Sequence, residues 1–189
     1  RLVQEDGRRQ AAVAMVLRQR TGLPDVLLIE RARRSGDPWS GHMAFPGGRV
    51  ERADAGVREA AERETFEEVG LPLGDAELLG RLDDLEGRHS GHVLPLVISA
   101  FVYHVAEPGP VSPSPEVEAA LWVPVTTLAD PRQHVEYTYP PAGDVRYPGI
   151  LVGDPERHVV WGLTYRFLEI FFQAVERPLP DRWDALRTV

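Results

Sequence analysis

Short apolar runs, cut by glycine, proline and charge, open this chain. Residues 11–17 (AAVAMVL) and 26–29 (VLLI) flank Thr21-Gly22-Leu23-Pro24, a pattern that predicts two strands joined by a turn. Residues 31–34 lead into a polar loop, 35–41, and a short extended piece, 42–45. Residues 55–69 are predicted as a helix, with Gly70 placed to end it. Segments 76–82 and 94–105 read as strands, the second rich in β-branched and aromatic residues, with an acidic loop at 83–89 between them. Four prolines in residues 108–115 mark a surface loop. Strand character returns at 116–123, followed by a short helix near 126–130. A Tyr/Pro-rich excursion at 137–148 reads as a further surface loop, and 150–152 as a strand. Leu163, Phe167, Ile170, Phe171 and Ala174 fall at i, i+4, i+7, i+8 and i+11, the stripe of an amphipathic helix packed on a core. Two main helices among roughly six to eight strands indicate the α+β class.

Composition narrows the function. The 189 residues suffice for one domain, residues 1–189, and 43% hydrophobic with 26% charged content is ordinary for a globular protein. A net charge of −8 argues against bulk binding to nucleic acid, which needs basic patches. All 21 basic residues are arginine, a bias that fits GC-rich codon usage. Cysteine is absent, which excludes disulfides and thiol chemistry. No apolar run approaches the ~18 residues that span a membrane, and no signal-peptide pattern opens the chain. The expectation is a cytoplasmic protein, monomer or homodimer, with a small-molecule partner and neither nucleic acid nor membrane.

The candidate chemistry lies between Gly47 and Leu71. Phe45-Pro46-Gly47-Gly48 supplies a rigid turn whose backbone carbonyls can face a ligand. Glu64, Glu67 and Glu68 follow at i, i+3 and i+4, so on a helix their carboxylates share a face and repel one another. A hard cation reverses that repulsion, and Mg²⁺ takes oxygen ligands while leaving room for water and phosphate. Arg63, between turn and carboxylates, is placed to pair with Asp54 and brace the loop. A solvated acidic helix is the bland alternative.

This stretch resembles the Nudix box, G-x5-E-x7-R-E-U-x-E-E-x-G-U with U aliphatic, over residues 48–71. Arg63, Glu64, Glu67, Glu68, Gly70 and Leu71 fit it without adjustment. Asp54 stands where the pattern has Glu, one extra residue separates it from Arg63, and Thr65 fills an aliphatic position. The resemblance implies a Nudix-like α/β/α sandwich, a mixed β-sheet between helices, and a pyrophosphohydrolase dependent on Mg²⁺ or Mn²⁺. It further implies Glu67 and Glu68 as core metal ligands, joined by the carbonyl of Gly48, with Glu64 either a ligand or the group that activates water. Members recruit a further acid from outside the box; Glu116 leads here, before Asp84 and Glu118. Arg31, Arg34 and Arg49 are candidates to hold substrate phosphates, whereas His42, His89 and His92 read as ordinary loop histidines.

Two flanking segments resemble the coenzyme A pyrophosphatase branch, whose upstream motif is L-L-T-x-R-[SA]-x3-R-x3-G-x3-F-P-G-G-[RK]. Leu27-Leu28, Arg31-Ala32 and Gly41 to Arg49 match it, with Ile29 in place of Thr, one residue inserted and Arg34 nearest to the second arginine. Trp161-Gly162-Leu163-Thr164 resembles the W-G-x-T segment of the same branch. The resemblance implies hydrolysis of coenzyme A. Alternatives are hydrolysis of nucleoside triphosphates, ADP-ribose or other nucleoside diphosphate derivatives, and a non-catalytic binding module.

Overall fold

In the computed structural model, which describes residue 2 and residues 7–19, 21–37, 39–89 and 92–180, strand β1 (Arg9–Arg18) runs through the centre. Its side chains divide between two cores: Ala12, Ala14 and Val16 enter one, Met15 and Leu17 the other. Strand β2 (Asp25–Arg31) divides likewise, Leu27 and Ile29 on one side and Val26 and Leu28 on the opposite one. A strand buried on both faces needs no polar alternation, which is why both segments read as unbroken apolar runs.

The large sheet orders β3 (Met43–Ala44), β2, β1, β7 (His92–Val105) and β5 (Glu77–Arg81). Off that path, β4 (Gly47–Arg49) pairs with β1, β6 (Leu85–His89) with β7, and β8 (Val117–Pro124) with β2. Only the β1–β7 pairing is parallel among these, so the sheet is mixed. Helix α1 (Val57–Val69) closes one face with Ala60, Ala61 and Val69, small side chains that let it lie close to β1. The short α2 (Val125–Ala129) follows β8, and α3 (Gly162–Ala174) closes the opposite face with Phe167, Leu168 and Phe172. The α/β/α layering expected from the sequence is therefore present.

The feature that places the site is a fork. β1 pairs with β2 through Leu17↔Val26 and Arg18↔Asp25, but at its other end with β4, through Ala11↔Arg49, Ala12↔Gly48 and Val13↔Gly47. The Gly47-Gly48 segment is thereby inserted where β1 and β2 part, directly under α1.

Three expectations need correction. The acidic loop at 83–89 is largely strand, because Leu85–His89 pairs with β7; His89 and His92 are opposed in that pairing, and their side chains lie outside the described residues. The excursion at 137–148 belongs to a second sheet, ordered β11 (Val159–Trp161), β10 (Arg146–Leu151) and β9 (His134–Thr138). The alternation Tyr137-Thr138-Tyr139 is a strand signal that the prolines masked. Finally, α3 buries Phe167 as expected, but Tyr165, Leu168 and Phe172 join it, with Leu163, Ile170 and Phe171 only partly buried and Ala174 exposed. The buried stripe is rotated because α3 packs between the large sheet and β10–β11.

Candidate active site

Gly47 makes a close approach that no other residue allows. A Cβ there would strike the Ala12 carbonyl and lie 2.6 Å from Val13 Cα, both backbone atoms of β1. Gly48 is constrained from the helix side, where a Cβ would overlap the Glu64 carboxylate. The Gly47 N–H donates to Glu68 Oε2 at 2.8 Å. Glu64 and Glu68 thus turn from α1 onto the two glycines, while Glu67, half exposed, points along the surface.

Arg63 holds these parts together. Its guanidinium donates to both Asp54 oxygens (2.9 and 3.1 Å), to the Arg49 carbonyl (3.1 Å) and to Glu67 (3.0 Å), and reaches Glu64 at 3.1 Å. Asp54 also accepts the Glu51 N–H at 2.7 Å, which braces the turn that precedes α1. Hydrogen bonding from Arg63 holds the Asp54 carboxyl below its ordinary range and raises Arg63 in return. The Thr65 departure also has a local account: fully buried, its hydroxyl donates to the Ala61 carbonyl at 2.7 Å, one turn back. Gly70, left-handed at φ 69°, returns its N–H to the Phe66 carbonyl and ends the helix.

Burial dominates the electrostatics. It pushes the Glu68 carboxyl up to about 7, against the Gly47 N–H and Arg31, with the Glu64 and Glu116 carboxylates adding to the rise. Glu64 is raised as well, first by burial and further by Glu67 and Glu51, with Arg63 opposing. Buried carboxylates collected at one turn are uncomfortable without a cation. Among the described residues, no group of three or more His, Asp or Glu side chains is gathered closely enough to hold a metal ion.

The flanking candidates separate. Arg31 approaches Glu68 at 3.8 Å and donates to Asp37 at 3.1 Å, leaving its buried Nε without a hydrogen-bond partner. Arg34 pairs with Glu116 at 3.1 Å, and Glu116 is the carboxylate outside the box that is felt at Glu68. The Arg49 side chain is exposed and makes no ion pair among the described residues; its carbonyl serves Arg63. Asp84 is buried against Arg81 (2.8 Å), and Glu118 faces Arg157 at 3.6 Å, so neither is brought to the box.

A cleft of about 830 Å³ opens beside the box and does not include its carboxylates. Arg33, Arg34 and His42 form one wall, Tyr137, Tyr139 and Trp161 the other. The Trp161 ring lies 4.8, 4.9 and 5.3 Å from Tyr137, Tyr139 and Tyr147, and 4.9 Å edge-on from His42. Burial pushes the His42 imidazole down to about 4. Buried Glu30 accepts from Arg157 at 2.7 Å and sits 3.2 Å from His158, tying residues 153–158 to β2. From the sequence, residues 137–148 have two readings, a pocket-shaping segment or a surface loop, with the loop favoured; the fold places its tyrosines against Trp161.

The NUDIX domain profile matches residues 7–141. The chain belongs to the Nudix family. Curated relatives include the human mitochondrial coenzyme A diphosphatase NUDT8, 30% identical over 171 residues, covering 86% of this chain and 68% of that protein. The Nudix hydrolase NudL of Citrobacter koseri is 31% identical over 176 residues, covering 90% and 85%. A Schizosaccharomyces pombe protein, C14C4.10c, is 40% identical over 119 residues; the match takes in 59% of this chain and 35% of that protein. Among solved structures, a MutT/nudix family protein from Enterococcus faecalis superposes with a TM-score of 0.59 at 19% identity, covering 89% of this chain and 62% of that one. Membership of the family makes this Nudix chain a pyrophosphohydrolase of nucleoside diphosphate derivatives, and enzymes of this family generally use divalent metal ions. Among the described residues, no helix is long and apolar enough to cross a membrane.

Proposed function

We propose that this Nudix hydrolase cuts coenzyme A at its diphosphate, with Mg²⁺ or Mn²⁺, into 3′,5′-ADP and 4′-phosphopantetheine. The observation that carries the reading is the pairing of carboxylates with guanidiniums at and beside the box: Arg31 by Glu68, and Arg34 by Glu116. A diphosphate needs both, because its oxygens repel a nucleophile until their charge is met.

The donors at this turn are all oxygens, which suits a hard cation. Glu67 and Glu68 with the Gly48 carbonyl would hold it, Glu116 would add a carboxylate from outside the box, and Glu64 would either join them or serve as the base for water. When bound, the ion offsets the diphosphate charge and makes water more acidic. Arg63 is a positioning residue: through Asp54 and the Arg49 carbonyl it keeps turn and helix in register. Arg31 and Arg34 take the diphosphate oxygens, and Arg49, open to solvent, is the third cation within reach.

Two points support coenzyme A over other diphosphates. A relative named as a coenzyme A diphosphatase aligns over most of this chain. The Ile29 departure from the upstream motif lies fully buried in β2, in the core under α1, and so bears on packing rather than substrate.

A hydrolysis panel tests the reading: coenzyme A, ADP-ribose, NADH, a diadenosine polyphosphate and nucleoside triphosphates, each with Mg²⁺ or Mn²⁺, products separated by chromatography. The expected result is dominant 3′,5′-ADP and 4′-phosphopantetheine, abolished by Glu67→Gln. Survival of coenzyme A while another diphosphate is cut would overturn the substrate. No turnover with either metal, with ligand binding intact, would point to a binding module.

A further inference from the structure

Helix α1 ends in an electrostatically unfavourable way. Glu67 and Glu68 occupy its last turn, where the helix dipole is negative, and no basic residue lies there to offset them. Its final carbonyls also lack partners within the helix. Gly70 takes the Phe66 carbonyl, and its left-handed turn brings the helix end so near Ser112 that a Cβ at Gly70 would lie 3.4 Å from the serine Cβ. The carbonyls of Val69 and Glu68 are then met from that other segment: the Ser112 N–H donates to Val69 and the Ser114 N–H to Glu68, both at 2.8 Å. Glu68 is thereby held at both ends, its carboxylate by the Gly47 N–H and its carbonyl by Ser114.

The segment is Ser112-Pro113-Ser114-Pro115-Glu116, which its prolines marked only as a surface loop. N–H groups two residues apart point the same way along an extended chain, as those of Ser112 and Ser114 do here. The prolines, which have no N–H, take the intervening positions and are exposed. Their fixed φ reduces the freedom lost when the two donors align. The chain then turns: Ser114 Oγ accepts the Glu116 N–H at 3.3 Å, and the Ser114 carbonyl accepts the Val117 N–H at 3.0 Å. The Glu116 carbonyl accepts the Ala32 N–H at 2.8 Å, and its carboxylate meets Arg34 at 3.1 Å. One strap thus bonds both to the helix that bears the box carboxylates and to the chain that carries Arg31 and Arg34.

We propose that residues 112–116 are a positioning element for the reaction, fixing the Glu68 end of α1 against Arg31 and Arg34 and carrying Glu116 into the same arrangement. Ser114 is the positioning residue at its centre, acting through Glu68 and Glu116 without touching substrate. The proposal rests on the reading of Glu68 and Glu116 as cation ligands and is independent of the choice of coenzyme A.

Amide exchange by NMR in the metal-free protein tests the strap itself. The Ser112 and Ser114 N–H groups should exchange on the order of a hundredfold more slowly than a freely exposed amide, although both lie outside helix and strand. Ser114→Pro deletes one donor, whereas Ser114→Ala keeps it and loses only the hydroxyl. Calorimetric titration with Mn²⁺ alone should show affinity weakened on the order of tenfold in Ser114→Pro and within about twofold of the unaltered chain in Ser114→Ala. With the substrate that the hydrolysis panel identifies, kcat should fall by a similar factor in Ser114→Pro, with a smaller change in KM. Pro113→Gly loosens the strap and leaves its donors in place; it should speed exchange at both serines and weaken Mn²⁺ several-fold. Thermal melting checks the fold of each variant, and Pro113→Gly carries the test if Ser114→Pro does not fold. Fast exchange at both serines in the unaltered chain overturns the strap. Unchanged Mn²⁺ affinity and kcat in these folded variants, where Glu68→Gln does weaken Mn²⁺, overturns it as well and leaves a helix cap with no part in the site. If Glu68→Gln also leaves Mn²⁺ affinity unchanged, the ligand reading has failed and the proposal falls with it.

Discussion

The box and the cleft beside it are built in opposite ways. Every residue of the box lies within one loop and one helix, and its spacing is the spacing of the helix itself: Glu64 and Glu68 are one turn apart, and Arg63 reaches back to Asp54 across a single loop. The cleft joins residues 33–42 to residues 134–161, segments brought together by a second sheet and by the Glu30–Arg157 ion pair. The box is a local device inserted at a fork in the sheet, whereas the cleft exists only when β9, β10 and β11 have paired. Damage to the first should appear in kcat, and damage to the second in KM.

Glu68→Gln is the largest break. It keeps the shape and can still accept the Gly47 N–H, so kcat is expected to fall about a thousandfold in a steady-state assay. Thermal stability should hold or rise, because a buried carboxylate is removed. A protein that melted far earlier would instead mean that Glu68 is structural. Gly47→Ala tests the fork: with a Cβ meeting β1 backbone, a loss of about 3 kcal/mol is expected in urea unfolding.

Arg63→Lys keeps the charge but loses the fork that spans Asp54, Glu67 and the Arg49 carbonyl. An intermediate effect follows, about 1–2 kcal/mol of stability by denaturant titration together with a measurable fall in kcat. On the cleft side, Arg157→Ala removes the shorter of the two contacts that tie residues 153–158 to Glu30, leaving His158, and should raise KM several-fold at constant kcat. An equal fall in kcat would show that the two regions are coupled.

The smallest effect is one of pH. Burial lowers the His42 pKa to about 4 in the folded chain from about 6.5 when unfolded, with Asp37 opposing and Arg31 assisting the shift. The unfolded chain therefore takes the proton first. Stability is complete above pH about 6.5 and is lost as the pH falls toward 4, by about 1–2 kcal/mol once the partial exposure of the ring is allowed for. His42→Phe should flatten that window in melting curves, and an unchanged slope would remove His42 as its source.

Some of this was legible beforehand for plain reasons. The carboxylate face of α1, the Arg63–Asp54 brace and the Gly70 stop follow from helical periodicity and capping within a short span. Two departures from the box pattern also proved local: Thr65 bonds back one turn, and Asp54 is braced by Arg63 and the Glu51 N–H. Other readings failed where partners lie far along the chain. Prolines made β9–β10 look like a loop, and the acidic residues near 84 hid β6, although Asp84 is simply held by Arg81. At Arg49 the fold separates two parts the sequence could not: its carbonyl accepts from Arg63 while its side chain stays open to solvent.

The sequence by itself determined β1 and β2 as apolar strands, the two long helices and the ordering of charges along α1, because each depends on neighbours within about a turn or a strand. Tertiary structure alone decided which carboxylates turn onto Gly47 and Gly48, that Arg34 meets Glu116, and that Trp161 stands among three tyrosines and His42. Those contacts depend on which strands pair and where the sheet forks, and burial arising from that arrangement is what pushes Glu68 up and His42 down.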